Sequence, residues 1–216
     1  VALSEAVIHL ESGLRLVRQL EPGADRDEFE LKFLSALGTA YLALKGWAAT
    51  EIIDTFVPAY RLAKTLSNET QAMTALFYIW SHYVCRSLFD RSAQWLTTTL
   101  DLGEGDASAD ITIVGHWMGC IQHVWTGEFL KSKFHFDSVL RKYNKDKHSH
   151  IAISMNNDPK SVSYNFGTQA LWILGFPDQA RKAAMDSFDH AKDLGYPFNL
   201  AFNLTVGVGV FALLRQ

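Results

Sequence analysis

Apolar residues recur along most of the chain at spacings of three and four, and no segment alternates apolar with polar at period two. That pattern predicts an all-α protein. The first helix is expected over 2–20, ended by Pro22 and Gly23. The second is expected over 26–45, with Asp25 as its N-cap and Gly46 as its stop. A third, over 50–66, contains Pro58, which either kinks its interior or sits in the first turn of a shorter helix starting near Thr55. Further helices are expected over 68–87, 90–102, 107–126 and 128–143, with a turn-rich break at 103–110 that offers Asp106 as a cap. Residues 144–158 read as the one long irregular stretch. Asp158-Pro159 then opens a helix that ends at Gly175, Pro177 opens the next, which ends at Gly195, and Pro197 opens the last.

The junctions resemble one another. With Leu88, Gly127 and Gly175 as anchors, small residues stand five positions later (Ala93, Ser132, Ala180) and seven earlier (Ser81, Cys120, Thr168). Ring-bearing residues stand eleven earlier: Phe77, His116 and Tyr164. Slim side chains at matching places on two helices let their backbones approach closely, as an array of helical hairpins requires. The run Ala170–Ala180, ALWILGFPDQA, is then a bend between two helices rather than the rim of a catalytic pocket.

Leu37-Gly38 followed by Tyr41 matches the first helix of a tetratricopeptide repeat. Other runs extend the likeness: His9–Leu14 (HLESGL), Leu37–Gly46 (LGTAYLALKG), Asn157-Asp158-Pro159, Leu171–Ala180 (LWILGFPDQA) and Gly195–Phe198 (GYPF). Together they resemble the C-terminal helical arrays of large bacterial signalling ATPases that also carry an adenylate/guanylate cyclase or protein kinase domain. Pro58 and the Gly207-Val-Gly209 pair depart from that pattern. The resemblance implies one domain over 1–216, a right-handed tetratricopeptide-like superhelix of about ten antiparallel helices. It implies a sensory or interaction arm of a larger protein and no activity of its own. A start without Met, inside a helical pattern, accords with a piece of a longer chain.

Composition narrows the function. Twenty Lys and Arg against 23 Asp and Glu leave a net charge of −3, which makes no case for nucleic acid. Two cysteines in apolar context, Cys85 and Cys120, read as buried free thiols of a reducing, cytoplasmic compartment. The N-terminus lacks the features of a secretory signal, and 200–214 is short for a membrane span and contains Asn203. That last helix, apolar nearly all round, is expected to need a cover, such as a second copy of the chain.

No P-loop, G-x-S-x-G or H-E-x-x-H run occurs. Asp146, His148, His150 and Asp158 fall short of a zinc set, and His116, Cys120 and His123 lack a third group to orient a base, so no catalytic residue, metal or cofactor is expected. Counting back from the anchors gives an expected groove lined by Tyr78, His82, Arg86, Trp117, Ile121, Trp125, Asn165, Gln169 and Trp172. Indole, phenol, imidazole, amide and guanidinium groups suit a protein or peptide partner, or a small ligand.

Overall fold

A computed structural model describes residues 2–104, 109–155 and 157–213, which form helices and short turns with no strand among them. They fall into two compact units, residues 1–99 and 100–216. The first holds α1 (Ala2–Val17), α2 (Ala24–Lys45), α3 (Thr50–Thr65), α4 (Glu69–Cys85) and most of α5 (Phe89–Glu104). The second holds α6 (Ala109–Trp125), α7 (Phe129–Lys142), α8 (Lys145–His148), α9 (His150–Met155), α10 (Pro159–Ile173), α11 (Pro177–Leu194) and α12 (Pro197–Leu213). Among the described residues no helix is long and apolar enough to cross a membrane.

In the first unit α1 packs on α2, α2 on α3 and α3 on α4. A Cβ on Gly38 would stand 2.5 Å from the Phe56 ring, so only glycine lets α3 press Phe56 onto α2. Phe56 in turn stacks on Tyr78 with ring centroids 4.6 Å apart. Pro58 lies in the interior of α3, where it has no N–H for the Asp54 carbonyl four residues back. In the second unit α10 packs on α6, α7, α11 and α12. Its core joins Cys120, Phe136, Tyr164, Leu171, Ala180, Ala183 and Ala184.

Four junctions share one local geometry. Ser67, Ser87, Gly127 and Gly175 all have positive φ (53°, 57°, 77° and 83°). In each, that residue's N–H reaches the carbonyl three back and the next N–H the carbonyl five back, as in Leu88 to Tyr83 and Phe176 to Leu171. This is the Schellman turn. It corrects the repeat register. The counterpart of Gly127 and Gly175 is Ser87, not Leu88, and five residues on stand Ser92, Ser132 and Ala180, each 0% exposed, whereas Ala93 is only half-buried. Seven and eleven residues before Ser87 stand Trp80 and Leu76, so the small and ring-bearing positions expected at Ser81 and Phe77 do not hold in this register. Serine pays for the left-handed conformation that glycine adopts freely. Ser67→Gly is therefore expected to stabilise the chain by about 0.5–1 kcal/mol. Urea denaturation checks this, and an unchanged or lower midpoint would refute it.

Three further expectations are corrected. Gly23, not Asp25, stands at the N-cap of α2, because the helix starts at Ala24 and leaves Asp25 in its first turn, where a carboxylate complements the helix dipole. The stretch expected to be irregular contains α8, capped by Asn144 accepting from the Lys147 N–H, and α9, which buries Ile151, Ala152 and Met155. Cys85 is exposed, and only Cys120 is buried. Asp106 lies outside the described residues. The caps expected at Asp158, Pro159, Pro177 and Gly195 stand where the sequence puts them.

Candidate functional site

Five of the nine residues expected to line one groove are buried. Tyr78, His82, Trp117, Ile121 and Asn165 are buried, Gln169 and Trp172 are half-buried, and Arg86 and Trp125 are exposed. Trp117 is 1% exposed and Trp125 59%, so the first indole is core and the second surface. Gln169 turns back to donate from Nε2 to the Asn165 carbonyl of its own helix. Trp172 packs on the core of the second unit. Both polar atoms of the Asn165 carboxamide are buried without a hydrogen-bond partner.

His82 and Arg86 do meet, in a cleft of about 350 Å³ within the first unit. Its walls are Thr50, Ile53 and Asp54 from α3, His82, Tyr83 and Arg86 from the end of α4, Leu88 from the turn and Arg91 from α5. The sequence builds it simply. The Schellman turn at Ser87 folds the start of α5 back beside the end of α4, which brings Arg91 over the Tyr83 ring, 5.8 Å from its centroid. The start of α3 supplies the third wall, and its N-cap, Ala49, has no side chain to bond the first-turn N–H groups.

Four charged or titratable groups in the cleft stand uncommitted. Among the described residues Arg86, Arg91 and Asp54 have no ion pair or side-chain hydrogen bond. His82 is 3% exposed, and its Nδ1 has no hydrogen-bond partner. Burial and the Arg86 charge pull the imidazole below its usual range, against the opposing pull of the Ala49 and Trp47 backbone and of Asp54. With Nδ1 unpartnered and the pull toward the charged form coming from the Ala49 and Trp47 backbone, we assign the ring proton to Nε2, which leaves Nδ1 a lone-pair acceptor. Arg91 also breaks a local rule, since a cation in the first turn of a helix opposes the dipole. Sequence reasoning missed Arg91, Tyr83, Asp54 and Thr50. That misplaced cation was the one signal that pointed to them.

Other candidates carry less. A depression of about 360 Å³ over the α6–α7 turn is lined by Gly127, Phe129, Leu130 and Leu174, with Glu128 and Lys131 already paired to each other. Cys120 is fully buried, which pushes its thiol up to about 12, so it is not poised as a nucleophile. His116 and His123 do share a face of α6, where they flank His135 of α7. The Nδ1 atoms of His116 and His135 are 3.0 Å apart, and the His123 ring stacks on His135 at 5.4 Å. His148, His150 and Asp158 go to separate contacts, with the Asn144 N–H, with Asp110, and with Tyr143 and His190. Comparison with protein-family models gives no match, and comparison with curated proteins gives none.

Proposed function

We propose that the chain is a non-catalytic binding scaffold, a tetratricopeptide-like array whose α3–α4–α5 cleft receives a ligand or a segment of a partner. The observation that carries this reading is the meeting of two unpaired guanidinium groups and an unpartnered imidazole nitrogen in one open cleft. Its volume falls in the range of small-ligand sites, at the low end. The recurrent Schellman turns and the fully buried small residues five positions after three of them support the array. The likeness of the quoted motifs to the helical arms of signalling ATPases supplies the wider role. In that role the cleft is a sensor or docking point, and its occupation biases how neighbouring hairpins pack.

Two-dimensional NMR of the chain against a library of small fragments tests the reading. Perturbations are expected to centre on Thr50, Ile53, His82 and Arg86. Responses confined to other surfaces, or turnover of substrate in a broad hydrolase panel, would overturn it.

A further inference from the structure

The charges of the cleft go further and indicate what it holds, an inference that rests on the cleft being a ligand site. Two features make it a place for negative charge. Arg86 and Arg91 approach it from the end of α4 and from α5, neither in an ion pair among the described residues, with Asp54 as the carboxylate on the walls. Arg91 adds its charge at the positive end of α5, where Asp90 is the acidic residue of the first turn.

The remaining polar groups point to a second requirement. His82 Nδ1 and the Asp54 carboxylate are acceptors, and both are free. A ligand that was only anionic would leave the buried Nδ1 unpaired and lie near Asp54 without a proton between them, and both effects cost affinity. A ligand with an O–H or N–H donor beside its negative charge satisfies both sets at once. Tyr83 is already engaged as the platform under Arg91, and it keeps that guanidinium extended toward the cleft.

We propose that the α3–α4–α5 cleft is an anion site, in which Arg86 and Arg91 grip a carboxylate or phosphate group while His82 Nδ1 and Asp54 accept a hydrogen bond from a donor beside it. Arginine forks suit both anions, and the donor distinguishes them: hydrogen phosphate brings an O–H, whereas a simple dicarboxylate brings none.

The test is an NMR titration of the intact chain with inorganic phosphate, with succinate and with uncharged glycerol, on the wild type and on Arg86→Ala, Arg91→Ala and Arg61→Ala. Both arginines of the cleft are exposed, so their truncation leaves the packing intact, which circular dichroism verifies. Phosphate is expected to perturb the cleft residues and to bind more tightly than succinate. Loss of either cleft arginine should weaken phosphate about tenfold or more, while Arg61→Ala, outside the cleft, leaves it unchanged. Equal weakening in all three variants would reduce the effect to net charge and overturn the proposal. Succinate at least as tight as phosphate would overturn the donor requirement. Binding of glycerol or neutral fragments in the cleft, with no response to either anion, would sink the anion reading and leave the ligand site standing. Silence from every probe at the cleft would sink both.

Discussion

Replacing Asp158 by alanine is expected to destabilise the second unit by about 3–5 kcal/mol at neutral pH. The carboxylate is 0% exposed and accepts three hydrogen bonds: from the Tyr143 O–H at 2.5 Å, from the Ser161 backbone N–H at 2.7 Å and from His190 Nε2 at 2.9 Å. Burial alone would push its pKa up. The bonds from His190 and Tyr143, the attraction of His190 and the Ser161 N–H outweigh burial and hold it below the usual carboxylate range. Alanine removes the N-cap of α10 and strands a phenol and an imidazole in a dry site, so the loss is that of a whole network. Asparagine keeps the capping oxygen but turns an amide toward donors, and its cost is expected to be intermediate. The sign with pH follows from the lowered pKa. The carboxylate's contribution is present above its unfolded value of about 3.9 and is lost as pH falls through the folded one. The gap between wild type and Asp158→Ala in urea denaturation should thus narrow toward pH 3. A gap under about 1 kcal/mol at neutral pH would show the network to be marginal.

Asp158 also marks what the sequence discloses and what it hides. Asp-Pro before an apolar-periodic run announces a capped helix, and the cap is there. Lys45-Gly46 was equally legible through its positive-φ glycine, and the Gly-x-Pro joints at 175–177 and 195–197 through such a glycine followed by a fixed φ, both strictly local signals. The fate of the Asp158 carboxylate was not legible. Its partners lie 15 residues before it and 32 after it, on other elements, and no periodicity links them. The same holds for His135, invisible as the partner of His116 because the hairpin alone brings them together. The misreading of Leu88 has a different cause. Ser87 takes the left-handed turn without glycine, so the anchor slipped by one residue, and Tyr78, His82 and Arg86, counted from it, slipped with it. Periodicity identifies Trp117 as one member of a helix face. Whether that face is groove or core depends on what packs against it, and Trp117 is core. The cleft appeared only in part, through His82 and Arg86, since its other walls come from α3 and from the far side of the turn.

Mild acid is the second large lever on the same unit, and it acts through histidines that are held neutral. The contact between the two Nδ1 atoms of His116 and His135 is a hydrogen bond only if one donates and the other keeps its lone pair. Burial, then the neighbouring His116 and His123, pulls His135 down to about 3. Burial, then Lys142 and Arg141, pulls His116 down to about 4. His123, stacked on His135, is also lowered by burial, against the pull of its Glu128 partner. A base whose folded pKa is depressed contributes its full stability above the unfolded value near 6.5. As pH falls below that, the unfolded chain takes up protons that the folded chain refuses. Each group then costs about 1.4 kcal/mol per pH unit, so His116 and His135 together predict a loss of roughly 2–4 kcal/mol between pH 7 and 5, allowing for the partial exposure of His116. The Asp158 network is still charged across that interval, which separates the two effects. Histidine carbon NMR titration reads the cause directly: two of the eight histidines should stay neutral to below pH 5 in the folded chain. His135→Gln should flatten the dependence of urea stability on pH by about one proton. Should His116 and His135 both titrate near 6.5, the paired rings would be open to water, and acid would have to act on the fold elsewhere.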